Sequence, residues 1–82
     1  MHIRFDLPAA SNVHLAVHTL QGRLLRELVM PQKPLPAGYH KVIWNSRERY
    51  GDPAAAGPYI YRIVVAGGDK TYVRARLMLL VR

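Results

Sequence analysis

The side chains able to do chemistry are few, and their spacing argues against catalysis. Tyrosines aside, the hydroxyl groups are Ser11, Thr19, Ser46 and Thr71. None sits in the Gly-x-Ser-x-Gly setting that exposes a nucleophile on a strained turn. The carboxylates are Asp6, Glu27, Glu48, Asp52 and Asp69, all among turn or surface residues and none paired for acid–base work. Four histidines invite a metal reading. His14 and His18 share the outer face of one strand, but four residues of strand separate them by about 13 Å. Ligands of one zinc ion lie about 2 Å from it, so these two cannot share an ion. His2 could stand across from one of them on a neighbouring strand, yet ordinary exposed histidines account for the pattern. A calcium loop needs several clustered acidic oxygens, whereas Asn45 to Asp52 sets Glu48 and Asp52 against Arg47 and Arg49. No catalytic residue, metal ligand, cofactor or small-molecule substrate is assigned, and the chain reads as a non-enzyme.

Charge offers a different chemistry. The 82 residues carry twelve lysines and arginines against five acids, a net charge of +7. Such a chain attracts polyanions. Tyr72, Arg74 and Arg76 alternate on one face, and Arg62 on the preceding strand is expected beside them. A sheet of arginines and aromatics can hold single-stranded nucleic acid or another polyanion. The simpler account is that arginine and tyrosine suit exposed strand positions, with the cations scattered over a solvated surface. Polyanion or nucleic-acid binding is therefore the alternative function, not the leading one.

The elements that must position these residues are strands. Met1 to Leu7 alternates, with Ile3, Phe5 and Leu7 on one face. Asn12 to His18 alternates again, with Val13, Leu15 and Val17 inward. Thr19 to Gly22 is a turn. Arg23 to Met30 carries a helix-like stripe of Leu24, Leu25, Leu28 and Val29. The run is short and closed by Gly22 and Pro31, so a strand following the tight turn is expected. Pro31 to Pro36 is an extended crossover, since prolines cannot donate to a ladder. Gly38 to Asn45 is a strand with His40, Val42 and Trp44 on one face, followed by a loop over Ser46 to Ala56. Gly57 to Ala66 places Tyr59, Tyr61, Ile63 and Val65 inward. Gly67-Gly68-Asp69-Lys70 reads as a hairpin turn. Thr71 to Val81 is expected to place Val73, Ala75, Leu77, Leu79 and Val81 inward. Six strands, or seven if Ala54 to Ala56 adds a short one, predict an all-β antiparallel immunoglobulin/fibronectin III-like sandwich, a single domain over residues 1–82. There is no cysteine, so no disulfide or thiolate–metal site supports it. No export signal pattern opens Met1 to Ala10, and no apolar run approaches the roughly 20 residues of a membrane helix.

Phe5, Leu15, Trp44, Tyr59, Tyr61 and Ile63 are the expected structural core, with Trp44 and the two tyrosines as its central pin. The same parity leaves Ile60, Val64, Met78 and Leu80 on the outward face, where a half-wet sheet should be polar. With Arg62, Arg74 and Arg76 they form the candidate interaction surface, suited to a protein partner or a second copy of the chain. The last strand also offers an edge for strand addition.

The order of segments carries a resemblance: IRFDLP, then VHLAVHTLQGRLLREL, PAGYHKVIWNSR, GDPAAAGPYIYRI and a final LMLLVR. Together they resemble the immunoglobulin-like domain of the flagellar hook-assembly protein FlgD. They also resemble the similar C-terminal modules of secreted bacterial proteins, including those with type IX secretion sorting tails. The likeness runs from Ile3 to Arg82. Gly22-Arg23 matches the hairpin turn and Ala37-Gly38 the opening of the tryptophan strand. Trp44 matches the core tryptophan, and Gly51, Gly57, Tyr59 and Tyr61 match the return strand. After the tryptophan the family usually carries an acid or Asn, then Gly, then Asp two further on; here stand Asn45, Ser46 and Glu48. The resemblance implies a non-enzymatic structural or assembly module, extracytoplasmic, whose partners are proteins: a neighbouring domain, or copies of itself in a fibre or surface structure.

Overall fold

A computed structural model describes residues 1–32, 34–67 and 69–81. It contains six strands: β1 (His2–Leu7), β2 (Asn12–His18), β3 (Leu24–Val29), β4 (Gly38–Ile43), β5 (Gly57–Gly67) and β6 (Lys70–Leu80). They form two antiparallel sheets, a two-stranded β1-β4 and a four-stranded β3-β2-β5-β6. The apolar faces of both sheets meet in one core, so the architecture is a β-sandwich. Ala54 to Ala56 adds no strand; beside it lies only an isolated bridge between Arg47 and Pro53. No helix among the described residues is long and apolar enough to cross a membrane.

Local chemistry explains the elements. Between β2 and β3 the chain turns at Thr19–Gly22, where Gly22 takes φ +95° and donates to the Thr19 carbonyl at 2.9 Å. The Thr19 hydroxyl accepts from the Arg23 amide at 3.1 Å, which closes the turn. The helix-like stripe in β3 also finds a cause. The pairing of β2 with β3 shifts twice, and Leu25 and Leu28 have no Cα partner in the register. Each irregularity advances the side-chain phase by one residue, so a strand can turn a non-alternating run of leucines inward. The proline connector is tied to β2 by Ser11, which exchanges backbone hydrogen bonds of 3.0 and 2.8 Å with Leu35.

Buried residues come from both sheets: Ile3 and Leu7 from β1; Val13, Leu15 and Val17 from β2; Tyr59 and Ile63 from β5; Met78 and Leu80 from β6; and Trp44 just after β4. Phe5 and Tyr61 are half-buried against this cluster. Phe5 stacks on His40, its partner across β1-β4, at 5.4 Å between ring centres.

The expected parity of β6 is inverted. Met78 and Leu80, read as outward, are 8% and 6% exposed. Val73, Leu77, Leu79 and Val81, read as inward, are 52%, 70%, 64% and 77% exposed. The cause is the hairpin register. Gly67 pairs with Lys70, so Val65 faces Tyr72, Ile63 faces Arg74, Tyr61 faces Arg76 and Tyr59 faces Met78. Directly opposed residues share a face, so the inward row of β5 takes Tyr72, Arg74, Arg76, Met78 and Leu80 with it. Gly68, in the expected hairpin turn, lies outside the described residues, as do Lys33 of the connector and Arg82 of the final matched segment.

Candidate interaction surfaces

The inverted parity divides the residues expected to make one surface into three places. Ile60, Arg62 and Val64 remain on the outer face of β5. Their partners across β5-β6 are Leu77, Ala75 and Val73. Met78 and Leu80 leave the surface for the core, and Arg74 and Arg76 pass to the inner face, opposite in direction to Arg62. An apolar outer patch therefore exists, but with Val73, Leu77 and Leu79 in the places expected for Met78 and Leu80. Ile60 and Val64 are its half-buried inner members. Leu20, half-exposed at the β2–β3 turn, extends it across a depression of about 280 Å³ that Ile60 and Arg62 also line. On the far side of the same face His14 meets Glu27 at 2.8 Å, so polar character returns toward β3. His2 is not near this pair in the pairing scheme: β1 pairs with β4, and His2 faces Ile43.

The inner-face arginines stand over a groove. It holds about 670 Å³ and runs between β1 and the inward row of β5-β6. Buried Ile3, Leu7 and Ile63 line its apolar part, while Arg4, Asp6, Tyr72, Arg74 and Arg76 carry its polar groups. Among the described residues the ion pairs are His14–Glu27 and Arg23–Glu48, so Arg4, Arg74 and Arg76 have no carboxylate partner. Arg74 and Arg76 thus stand over the groove from the inner face of β6, while Arg4 and Asp6 border it from the exposed face of β1. The groove lies between two open strand edges, because among the described residues β1 pairs only with β4 and β6 only with β5.

The aromatic loop after β4 has a different character. Trp44 is 1% exposed and its indole Nε1 donates to the Arg47 carbonyl at 3.0 Å. Its ring meets Tyr59 edge-on at 5.6 Å, and the Tyr59 hydroxyl donates to the Ala55 carbonyl. The loop is laced to itself and to β3: Glu48 and Gly51 make turn bonds, the Arg47 guanidinium donates to the Gly51 carbonyl at 2.8 Å, and the Arg49 amide donates to the Leu25 carbonyl at 3.0 Å. Trp44, Tyr59 and several polar groups of the loop are thus engaged in the fold, while Tyr50 stands 86% exposed beneath Arg49.

No family model and no curated protein matches the chain. Among solved structures, FlgD from P. aeruginosa superimposes with a TM-score of 0.71 at 21% sequence identity, over 96% of this chain. The fold is thus that of a FlgD-like domain. This chain spans 59% of the FlgD chain it matches.

Proposed function

We propose that this chain is a non-enzymatic assembly module of an extracytoplasmic bacterial protein, a single domain that makes protein–protein contacts through the outer face of β5-β6. The observation that carries the reading is the row Val73, Leu77 and Leu79, more than half exposed beside Ile60 and Val64. A sheet whose other face is already in the core should present polar residues there, and contiguous exposed apolar area marks contact sites. The FlgD-like fold supports the assembly role, and the family resemblance supports an extracytoplasmic setting.

Light scattering across protein concentration tests it. Apolar contact predicts reversible self-association that is insensitive to salt and lost in Leu77→Lys, with Ile60→Lys weaker in effect because Ile60 is half-covered. A chain that stays monomeric at every concentration counts against the reading. So does association that dissolves as salt rises, because charge–charge contacts are screened over a Debye length of about 8–10 Å near physiological salt.

A further inference from the structure

The free edge of β6 separates two rows of opposite chemistry. On the inner side, over the groove, stand Tyr72, Arg74 and Arg76; on the outer side stand Val73, Leu77 and Leu79. β6 is an 11-residue strand at the end of its sheet, so one side of its backbone has no ladder partner among the described residues. Long edges of this kind are templates for an added strand. Natural edges are commonly blunted by proline, a bulge, a covering loop or inward-pointing charge. β6 contains no proline, and its pairing with β5 runs without a shift from Gly57↔Leu80 to Gly67↔Lys70; its inward charges, Arg74 and Arg76, disfavour a basic newcomer and leave the edge selective for an acidic one.

A strand laid on that edge is constrained residue by residue. Side chains opposite Arg74 and Arg76 point into the groove, and those opposite Val73, Ala75 and Leu77 point to the outer face, because opposed residues share a face. Opposite charges across a strand pair are favourable and like charges are not. The groove-side row of the newcomer should therefore be acidic, meeting the guanidinium groups of Arg74 and Arg76, which have no carboxylate partner among the described residues. Its outer row should be apolar, continuing Val73 and Leu77. We propose that the β6 edge binds an extended segment of a partner protein in which acidic and apolar residues alternate. The inference deepens the protein-contact reading but stands on a separate feature, the edge and its groove. A single-stranded nucleic acid would satisfy the arginines, yet it would leave both the backbone edge and the apolar outer row without a counterpart.

The test is fluorescence anisotropy at about 0.15 M salt with a labelled peptide of alternating glutamate and valine, about nine residues to match the strand. Its control is the isomer with the same residues in two blocks, all glutamates then all valines. The alternating peptide is expected to bind at least about tenfold tighter than the blocked one, and to slow amide hydrogen exchange in β6. Arg74→Glu with Arg76→Glu is expected to abolish that preference. Both side chains are exposed, and circular dichroism checks the fold; Arg74→Ala alone is expected to weaken binding in the same direction. Equal affinity for the two peptides, binding of neither, or preference for an oligothymidylate of the same charge would overturn the proposal. Light scattering on the same protein reads the outer-patch association independently, so each idea can fail alone.

Discussion

At the scale of single residues, two backbone positions carry measurable consequences. Ser46 follows the core tryptophan by two residues and holds φ +63°, the left-handed region. The resembling family usually has glycine there, so this chain keeps the turn with a residue that strains it. The left-handed conformation costs an L-residue roughly 1–2 kcal/mol, and glycine gives back part of that through its freer unfolded chain. Ser46→Gly should thus raise stability by about 0.5–1 kcal/mol, read as a higher midpoint in urea. Gly67 presents the opposite case. A Cβ there would lie 2.9 Å from the Ser11 Oγ, which is held by a 2.9 Å hydrogen bond to the Ala9 carbonyl. Gly67→Ala must push that hydroxyl aside or shift the strand, at a cost of about 1–3 kcal/mol. In a Ser11→Ala background the nearest remaining contact is the Cβ at 3.7 Å, an ordinary one. The same glycine substitution should cost less there by about 1 kcal/mol, a coupling that a double-mutant cycle in urea measures. Additive effects would mean that Ser11 is not the obstacle.

At the scale of elements, β6 separates what alternation can reveal from what it cannot. In β1, β2 and β5 one parity is apolar and the other mixed or polar, so the inward row could be read directly. In Tyr72–Val81 both parities carry apolar residues, and the polar Tyr72, Arg74 and Arg76 point the reading the wrong way. The deciding information was in the turn. The pairing of Gly67 with Lys70 binds the faces of β6 to those of β5, and Tyr59 and Ile63 are legible as inward. The expected surface divides for the same reason: Ile60, Arg62 and Val64 lie on the outer face of β5, and the β6 residues opposite and beside them are Val73, Ala75, Leu77 and Leu79, not Met78 and Leu80. β3 was legible only as a short run between two breakers, because its two register shifts erase strict alternation. The two-stranded partner sheet was not legible, since pairing between β1 and β4 leaves no periodic mark in either. The inversion has a direct thermodynamic test. Met78→Ala should cost about 2–4 kcal/mol, as for truncation of a buried side chain. Leu77→Ala should change stability by no more than about 0.5 kcal/mol, as for an exposed site. Thermal unfolding of the two variants decides it, and the reverse order of costs would restore the opposite parity.

At the scale of the whole molecule, the sandwich has unequal halves, and the largest buried side chain spans them. The chain at the end of β4 exchanges backbone hydrogen bonds with Met1, from Trp44 N to the Met1 carbonyl at 2.8 Å and from the terminal amine to the Trp44 carbonyl at 2.9 Å. That secures the small β1-β4 sheet to itself. The Trp44 ring then crosses to the large sheet, edge-on to Tyr59, while its indole nitrogen holds the loop that leads into β5. Truncation removes the largest fully buried side chain and leaves the Arg47 carbonyl without its donor. A buried Trp→Ala change costs about 3–5 kcal/mol, against a total of roughly 4–12 kcal/mol for a chain of this length. Apart from this ring the two-stranded sheet is held by Ile3 and Leu7 in the core, with Phe5 and Val42 packed against it, and an isolated strand pair is marginal in water. Trp44→Ala should therefore lower the thermal midpoint by more than any substitution in β6, and release β1 and β4 amides to hydrogen exchange before those of β2 and β5. Trp44→Phe keeps an edge-on ring for Tyr59 but loses the indole donor, so its cost should fall between the parent and the alanine variant. A Trp44→Ala protein that melts like the parent, with β1 still protected, would mean that the two sheets are joined by something other than this ring.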